Sequence, residues 1–175
     1  MRWKAGLEWL AAIVLVVILG ITAYLAIDPA EQNRKKLDAE RKDSINALGG
    51  ALAKFYQKNK VYPAGSFIKT LQEAEVLDLP VKNPSSPGYS PLCAQDAVSD
   101  QGFCFAESSR ESVVPREGFK LDRFMIVYAK MESKAERARC LPAAVDQTFF
   151  VWSSADNRSG IVCQPPVAGP QDFAL

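Results

Sequence analysis

The most reactive side chains in the sequence are four cysteines, Cys93, Cys104, Cys140 and Cys163, all in the second half of the chain. No two form a CxxC pair and the chain contains no histidine, so a cysteine–histidine zinc site lacks its usual ligands. The same absence excludes Ser-His-Asp and Cys-His nucleophilic centres. An even number of cysteines beyond an apolar N-terminal segment reads instead as two disulfides in an oxidising compartment. Three connectivities are open. Cys93–Cys104 would close a short loop ahead of a strand, and Cys140–Cys163 would tie the segment after FMIVYAKM to a final hairpin; this is the pairing expected. Carboxylates are the other candidates for chemistry, but the Asp and Glu residues are scattered over helix faces and loops, where they read as solvated surface. The expectation is a protein that is not an enzyme, with no cofactor, no metal and no small-molecule substrate. One acid stands apart: Glu8 is the single charge near the start of an apolar run over 7–27.

That run reads LEWLAAIVLVVILGITAYLAI, without a polar face. A helix over its 21 residues would span about 31 Å, the thickness of a bilayer's hydrocarbon core. Arg2 and Lys4 precede it, so the positive-inside rule places the N-terminus in the cytoplasm and the rest outside. A cleaved secretory signal is the alternative, but its apolar core is normally shorter and Glu8 would sit poorly in it. The expectation is a permanent single-pass helix in the inner or cytoplasmic membrane. The formal net charge of +1, with acids and bases interspersed, provides no field to recruit nucleic acid.

Asp28-Pro29 follows, where proline can kink a continuing helix or open a new one with Asp28 as its cap. Beyond it, Leu37, Ile45, Leu48, Leu52 and Phe55 keep one helical stripe, interrupted before Ile45 by Arg34 and Arg41. The first half, to Asp43, is nearly all polar. Gly49-Gly50 inside the helix suggests close approach of a strand or another helix to its backbone, with a flexible point in the helix as the alternative. Tyr62-Pro63 ends the helix, and Ser66 caps a short helix over 67–77. A proline-rich loop covers 79–91. Strands are expected over 102–106, 124–131, 148–153 and 160–164, all rich in aromatic and β-branched residues, the last two joined by a hairpin loop over 154–159. Helix followed by strands argues α+β, with a small antiparallel sheet packed on the long helix. The organisation expected is a cytoplasmic N-terminus and transmembrane helix (1–28), its extracytoplasmic continuation (29–63), a disulfide-bonded head (64–165) and a loose tail (166–175).

Taken together, these residues resemble bacterial type IV pilins and type II secretion pseudopilins. The resemblance rests on the apolar helix with Glu8, the exit through Asp28-Pro29, the charged stretch 31–44, and Phe55-Tyr56-Gln57-Lys58-Asn59-Lys60-Val61-Tyr62-Pro63. Leu79-Pro80, Asn83-Pro84 and the ending VWSSADNRSGIVC add to it, so it covers most of the chain. It implies a structural subunit of a surface filament or secretion pseudopilus whose partners are copies of itself or related pilins, joined through the N-terminal helix. Glu8 would match the buried acid that pairs with a neighbouring subunit's N-terminal amine. In that family the acid is fifth after a cut following glycine; counting back from Glu8 puts Lys4 first and Trp3 at the cut. The competing expectation is therefore an uncut, membrane-anchored extracytoplasmic binding module that does not assemble. Some pseudopilins bind calcium in a loop near the end of the head. Here Asp156-Asn157-Arg158-Ser159 supplies one carboxylate against the several calcium requires, so an ordinary turn without metal is expected.

Overall fold

Asp28 starts the principal helix afresh. Its backbone lies in the left-handed region, with φ 42°, and its carboxylate accepts the Glu31 N–H at 3.2 Å. Pro29 takes the first helical turn, where a missing N–H costs nothing. The resulting helix α1 (Pro29–Asn59) ends at Lys60, at φ 60°, whose N–H donates to the Tyr56 carbonyl at 2.8 Å. The computed structural model describes residues 9, 12–22, 28–63, 65–78, 80–108, 124–141 and 147–174.

Two expectations are corrected here. Among the described residues no helix is long and apolar enough to cross a membrane. Among the described residues the fold is α+β with no transmembrane helix, so the one expected over 7–27 and the single-pass membrane location inferred from it are not supported. Nor is α1 its continuation: the positive φ and the cap at Asp28 make α1 a separately started helix.

Among the described residues five strands form one antiparallel meander in the order β1 (Val98–Asp100), β2 (Phe103–Glu107), β3 (Met125–Lys130), β4 (Phe149–Ser153) and β5 (Arg158–Val162). Period-two alternation gives the sheet two buried faces. Phe103, Phe105, Met125, Val127, Ala129 and Trp152 point to one side. There they meet Ile45, Leu48 and Leu52 of α1 and Phe67, Ile68 and Leu71 of α2 (Phe67–Glu73). Cys104, Ile126, Tyr128, Phe149, Val151 and Val162 point to the other, covered by Cys93, Ala97, Ala168 and Phe173. Gly49 is where α1 touches the sheet: a Cβ there would stand 2.3–2.5 Å from three atoms of the Trp152 ring. Burying those aliphatic and aromatic side chains, at about 1.5–3 kcal/mol each, is what holds helix to sheet.

The tail is packed, where the sequence suggested it would be loose. Ala174 donates its N–H to the Ile161 carbonyl at 2.7 Å, Phe173 lies against Gly160, and Arg158 stacks on the Phe173 ring at 4.4 Å. The disulfides are Cys93–Cys104 and Cys140–Cys163. The first pins the 93–97 segment to β2. The second ties the turn after α3 (Lys134–Arg137) to the end of β5.

Candidate functional site

The face of α1 that buries Ile45, Leu48 and Leu52 continues towards the N-terminus, but in charged residues. Glu31, Asp38 and Arg41 fall on it at helical spacing and are as buried as the apolar core, with Arg41 at 0 % exposure and Asp38 at 1 %. Each is buried because it has partners. Arg41 Nε donates to Asn83 Oδ1 at 2.9 Å and Nη1 to Asp38 Oδ1 at 2.6 Å. Its Nη2 donates to the Pro84 carbonyl at 2.7 Å and to the Glu132 carboxylate, and the guanidinium stacks on Tyr89 at 4.3 Å. Asp38 in turn accepts the N–H groups of Glu132 and Ser133 at 2.8–3.1 Å. Glu31 accepts the N–H of Lys134 at 2.6 Å.

These contacts join three stretches far apart in sequence: the first half of α1, the proline-rich loop and the segment leaving β3. Lys42–Glu136 and Asp28–Lys134 ion pairs flank the junction. The Lys134 ammonium, helped by the Glu31 N–H, holds the Asp28 carboxyl below the ordinary carboxylate range. Burial pushes the Tyr89 hydroxyl up. With every Arg41 nitrogen engaged, the arrangement is a mechanical clamp of helix to head rather than a reactive centre.

The motif residues behind the family resemblance have local roles here. Tyr56 and Tyr62 stack at 4.7 Å across the helix end, and Asn59 donates from Nδ2 to the Phe55 carbonyl at 3.1 Å. Asn83, buried between Arg41 and the Gly102 carbonyl, fixes the loop that Pro84 continues.

The second feature is the apolar helical run. Every residue from 12 to 22 is exposed, including Ile13, Leu15, Val16, Leu19 and Ile21, each above half of its full area. Glu8, the expected assembly residue, lies outside the described residues. The four cysteines sit in the head as disulfides and form no reactive thiol. The hairpin carboxylate Asp156 is engaged internally, accepting the Gln171 N–H at 2.9 Å. Among the described residues no group of three or more acids or cysteines is placed to hold a metal.

Sequence reasoning missed the clamp. Asp38 and Arg41 have the spacing of an ordinary solvated i,i+3 pair, and Glu132 is 91 residues from Arg41. The one available signal was that Arg41 lies on the same stripe as Ile45 and Leu48. Comparison with known protein families, with curated proteins and with solved structures finds no match to this chain.

Proposed function

We propose that the protein is a pilin-like structural subunit that assembles with copies of itself through its N-terminal helical segment. The observation that carries this reading is the exposure of the apolar run 12–22 around its whole circumference. Contiguous exposed apolar surface of this kind marks an interaction site. A single flat partner covers one side of a helix. Several copies of the same segment, each with the same unburied surface, cover one another on all sides and form a bundle. Burial of each Ile, Leu or Val is worth about 1.5–3 kcal/mol, so a few such side chains per contact suffice to drive association.

The clamp supports the same reading. A subunit held to its neighbours by its N-terminal segment transmits load to its head through α1, and the Arg41 junction locks that helix to the head at its loaded end. The motif residues from Phe55 to Pro63 and at Asn83-Pro84, together with the disulfide-bonded α+β head, are consistent with it. In this reading Glu8 pairs with the N-terminal amine of a neighbouring copy, an acid in an apolar bundle being costly unless paired.

A photo-reactive phenylalanine analogue placed at Val16 in the full chain, expressed in its native host, tests the proposal. Covalent dimers and higher multiples of the chain are expected from Val16. None are expected from the same analogue at Lys69, an exposed head position on α2. Adducts at Val16 to lipid or to unrelated proteins, with no self-adduct, would refute assembly through this segment.

A further inference from the structure

We infer that the Cys140–Cys163 disulfide is a redox-sensitive latch on the first half of α1. Opening it frees residues 29–44 from the head while the rest of the fold stays in place. The inference rests on the clamp geometry and holds whether or not the chain assembles. The two halves of α1 are attached by different means. Ile45, Leu48 and Leu52 hold the second half in the apolar core. The first half presents buried charges instead, Glu31, Asp38 and Arg41, and a buried charge is stable there only while its partners stay in place.

One strap, residues 131–140, supplies most of those partners. Three successive backbone N–H groups, of Glu132, Ser133 and Lys134, donate to Asp38 and Glu31 at 2.6–3.1 Å. The Glu132 and Glu136 carboxylates take Arg41 and Lys42, and the Lys134 ammonium takes Asp28. The second oxygen of Glu31 is buried with the Arg34 guanidinium at 3.8 Å in place of a hydrogen bond, so this acid depends on the Lys134 N–H.

The strap has two anchors of its own. At its start the Met131 N–H donates to the Thr148 carbonyl at 2.9 Å, extending the pairing of β3. At its far end stands Cys140. The helix between them, α3, buries none of its residues, and from Lys134 to Leu141 the one buried side chain is Cys140, packed with Met131 and Ile161. With the disulfide open, the strap is tethered at the β3 end alone, and ordering it carries an entropic cost that the cross-link had removed. Residues 29–44 then lose their backbone donors, and a polar helix of that length is marginal in water without tertiary support. Arg41 keeps Asn83 and the Pro84 carbonyl, so the helix loosens at this end without leaving the head. The Cys93–Cys104 disulfide has no such leverage: it pins 93–97, outside the strap, to β2, a strand already paired on both sides.

A dithiol reductant opens the latch. Cys163 is half-buried and Cys140 buried, so a thiolate of the reductant attacks Cys163 Sγ, the S–S bond breaks, and Cys140 departs as a thiolate that takes a proton from water. The second thiol of the reductant attacks the mixed disulfide and releases Cys163, which is protonated in turn. The protein gains two electrons and two protons, and the reductant leaves as its own disulfide.

Hydrogen–deuterium exchange of the full chain, read peptide by peptide in a mass spectrometer, tests the latch. Against the oxidised protein, Cys140→Ser/Cys163→Ser should exchange at least about tenfold faster over 29–44 and 131–141, with 45–59 and strands β2 and β3 unchanged. Cys93→Ser/Cys104→Ser should leave 29–44 at the original rate. Treating this second variant, whose remaining disulfide is Cys140–Cys163, with dithiothreitol should reproduce the fast exchange, and reoxidation should reverse it. That arm also decides the matter if Cys140→Ser/Cys163→Ser fails to fold. Unchanged exchange over 29–44 once Cys140–Cys163 is open would overturn the inference. So would a uniform rise through the sheet, or an equal rise over 29–44 in Cys93→Ser/Cys104→Ser, since either marks a general staple and not a latch.

Discussion

Replacing Arg41 with alanine should be among the most damaging single changes available in the head. The side chain is fully buried and its nitrogens satisfy Asp38, Asn83, the Pro84 carbonyl and Glu132 at once. Its removal leaves the Asp38 carboxylate buried beside Glu132 without a counter-charge, which costs about 3–5 kcal/mol for a buried pair. Two backbone N–H groups still bond Asp38, so the loss belongs nearer the lower end of that range. Against a total stability of about 5–15 kcal/mol this is a large fraction. It corresponds to a fall in melting temperature of about 10 °C. The assay is urea unfolding of the oxidised full chain, followed by the fluorescence of Trp152 and its fellows. Lys36→Gln is the reference, since it breaks an ion pair whose side chains are 75 % and 49 % exposed, worth no more than about 0.5 kcal/mol. Asp38→Asn keeps the shape and removes one charge, and an intermediate loss of about 1–3 kcal/mol is expected. If Arg41→Ala unfolds at the same urea concentration as Lys36→Gln, the buried-clamp reasoning is wrong.

Neighbouring glycines in α1 should respond with opposite signs. Gly49→Ala drives a methyl into the Trp152 ring and should cost about 1–3 kcal/mol, whereas Gly50→Ala enters open space and should gain about 1 kcal/mol from helix propensity, both read from urea midpoints. Burial raises the hydroxyls of Tyr62, Tyr89 and Tyr128 above the ordinary tyrosine value. The folded protein therefore keeps protons that the unfolded chain releases. The contribution is present below about pH 10 and is lost as pH rises beyond it, so the urea midpoint should fall between about pH 8 and pH 11. In absorbance at the phenolate band these three tyrosines should ionise late; ionisation of all of them in the ordinary range, with the fold intact, would contradict their burial.

Hydrophobic patterning made much of the head legible. The stripe of Ile45, Leu48 and Leu52 and the aromatic runs of β2, β3 and β4 carry their own periodicity, and the order of the cysteines against those strands suggested the pairing found. β1 was not legible, because Val98-Ser99-Asp100 is too short to show alternation. It exists because Gln101 and Gly102, both at positive φ, fold it back on β2. Polar burial was the other gap. Residues such as Asp38 and Arg41 look solvated unless their partners are known, and those partners come from distant loops. For the apolar run, composition alone suggested a bilayer span. The separate start of α1 at Asp28 depends on one backbone angle that hydropathy does not report.

The packed tail also bears on how the borders of the sheet are finished. A β-sheet ends in strands whose outward N–H and carbonyl groups are templates for another chain's strand. Here one border is β1, only three residues long, and the other is β5, where Ala174 occupies the Ile161 carbonyl and Phe173 covers Gly160. Residues 167–174 thus act as a selvedge that stops the fabric from being extended sideways. A proteolytic cut before Val167 would undo that finish, baring β5 and inviting two heads to join sheet to sheet. The outcome would be a disordered aggregate.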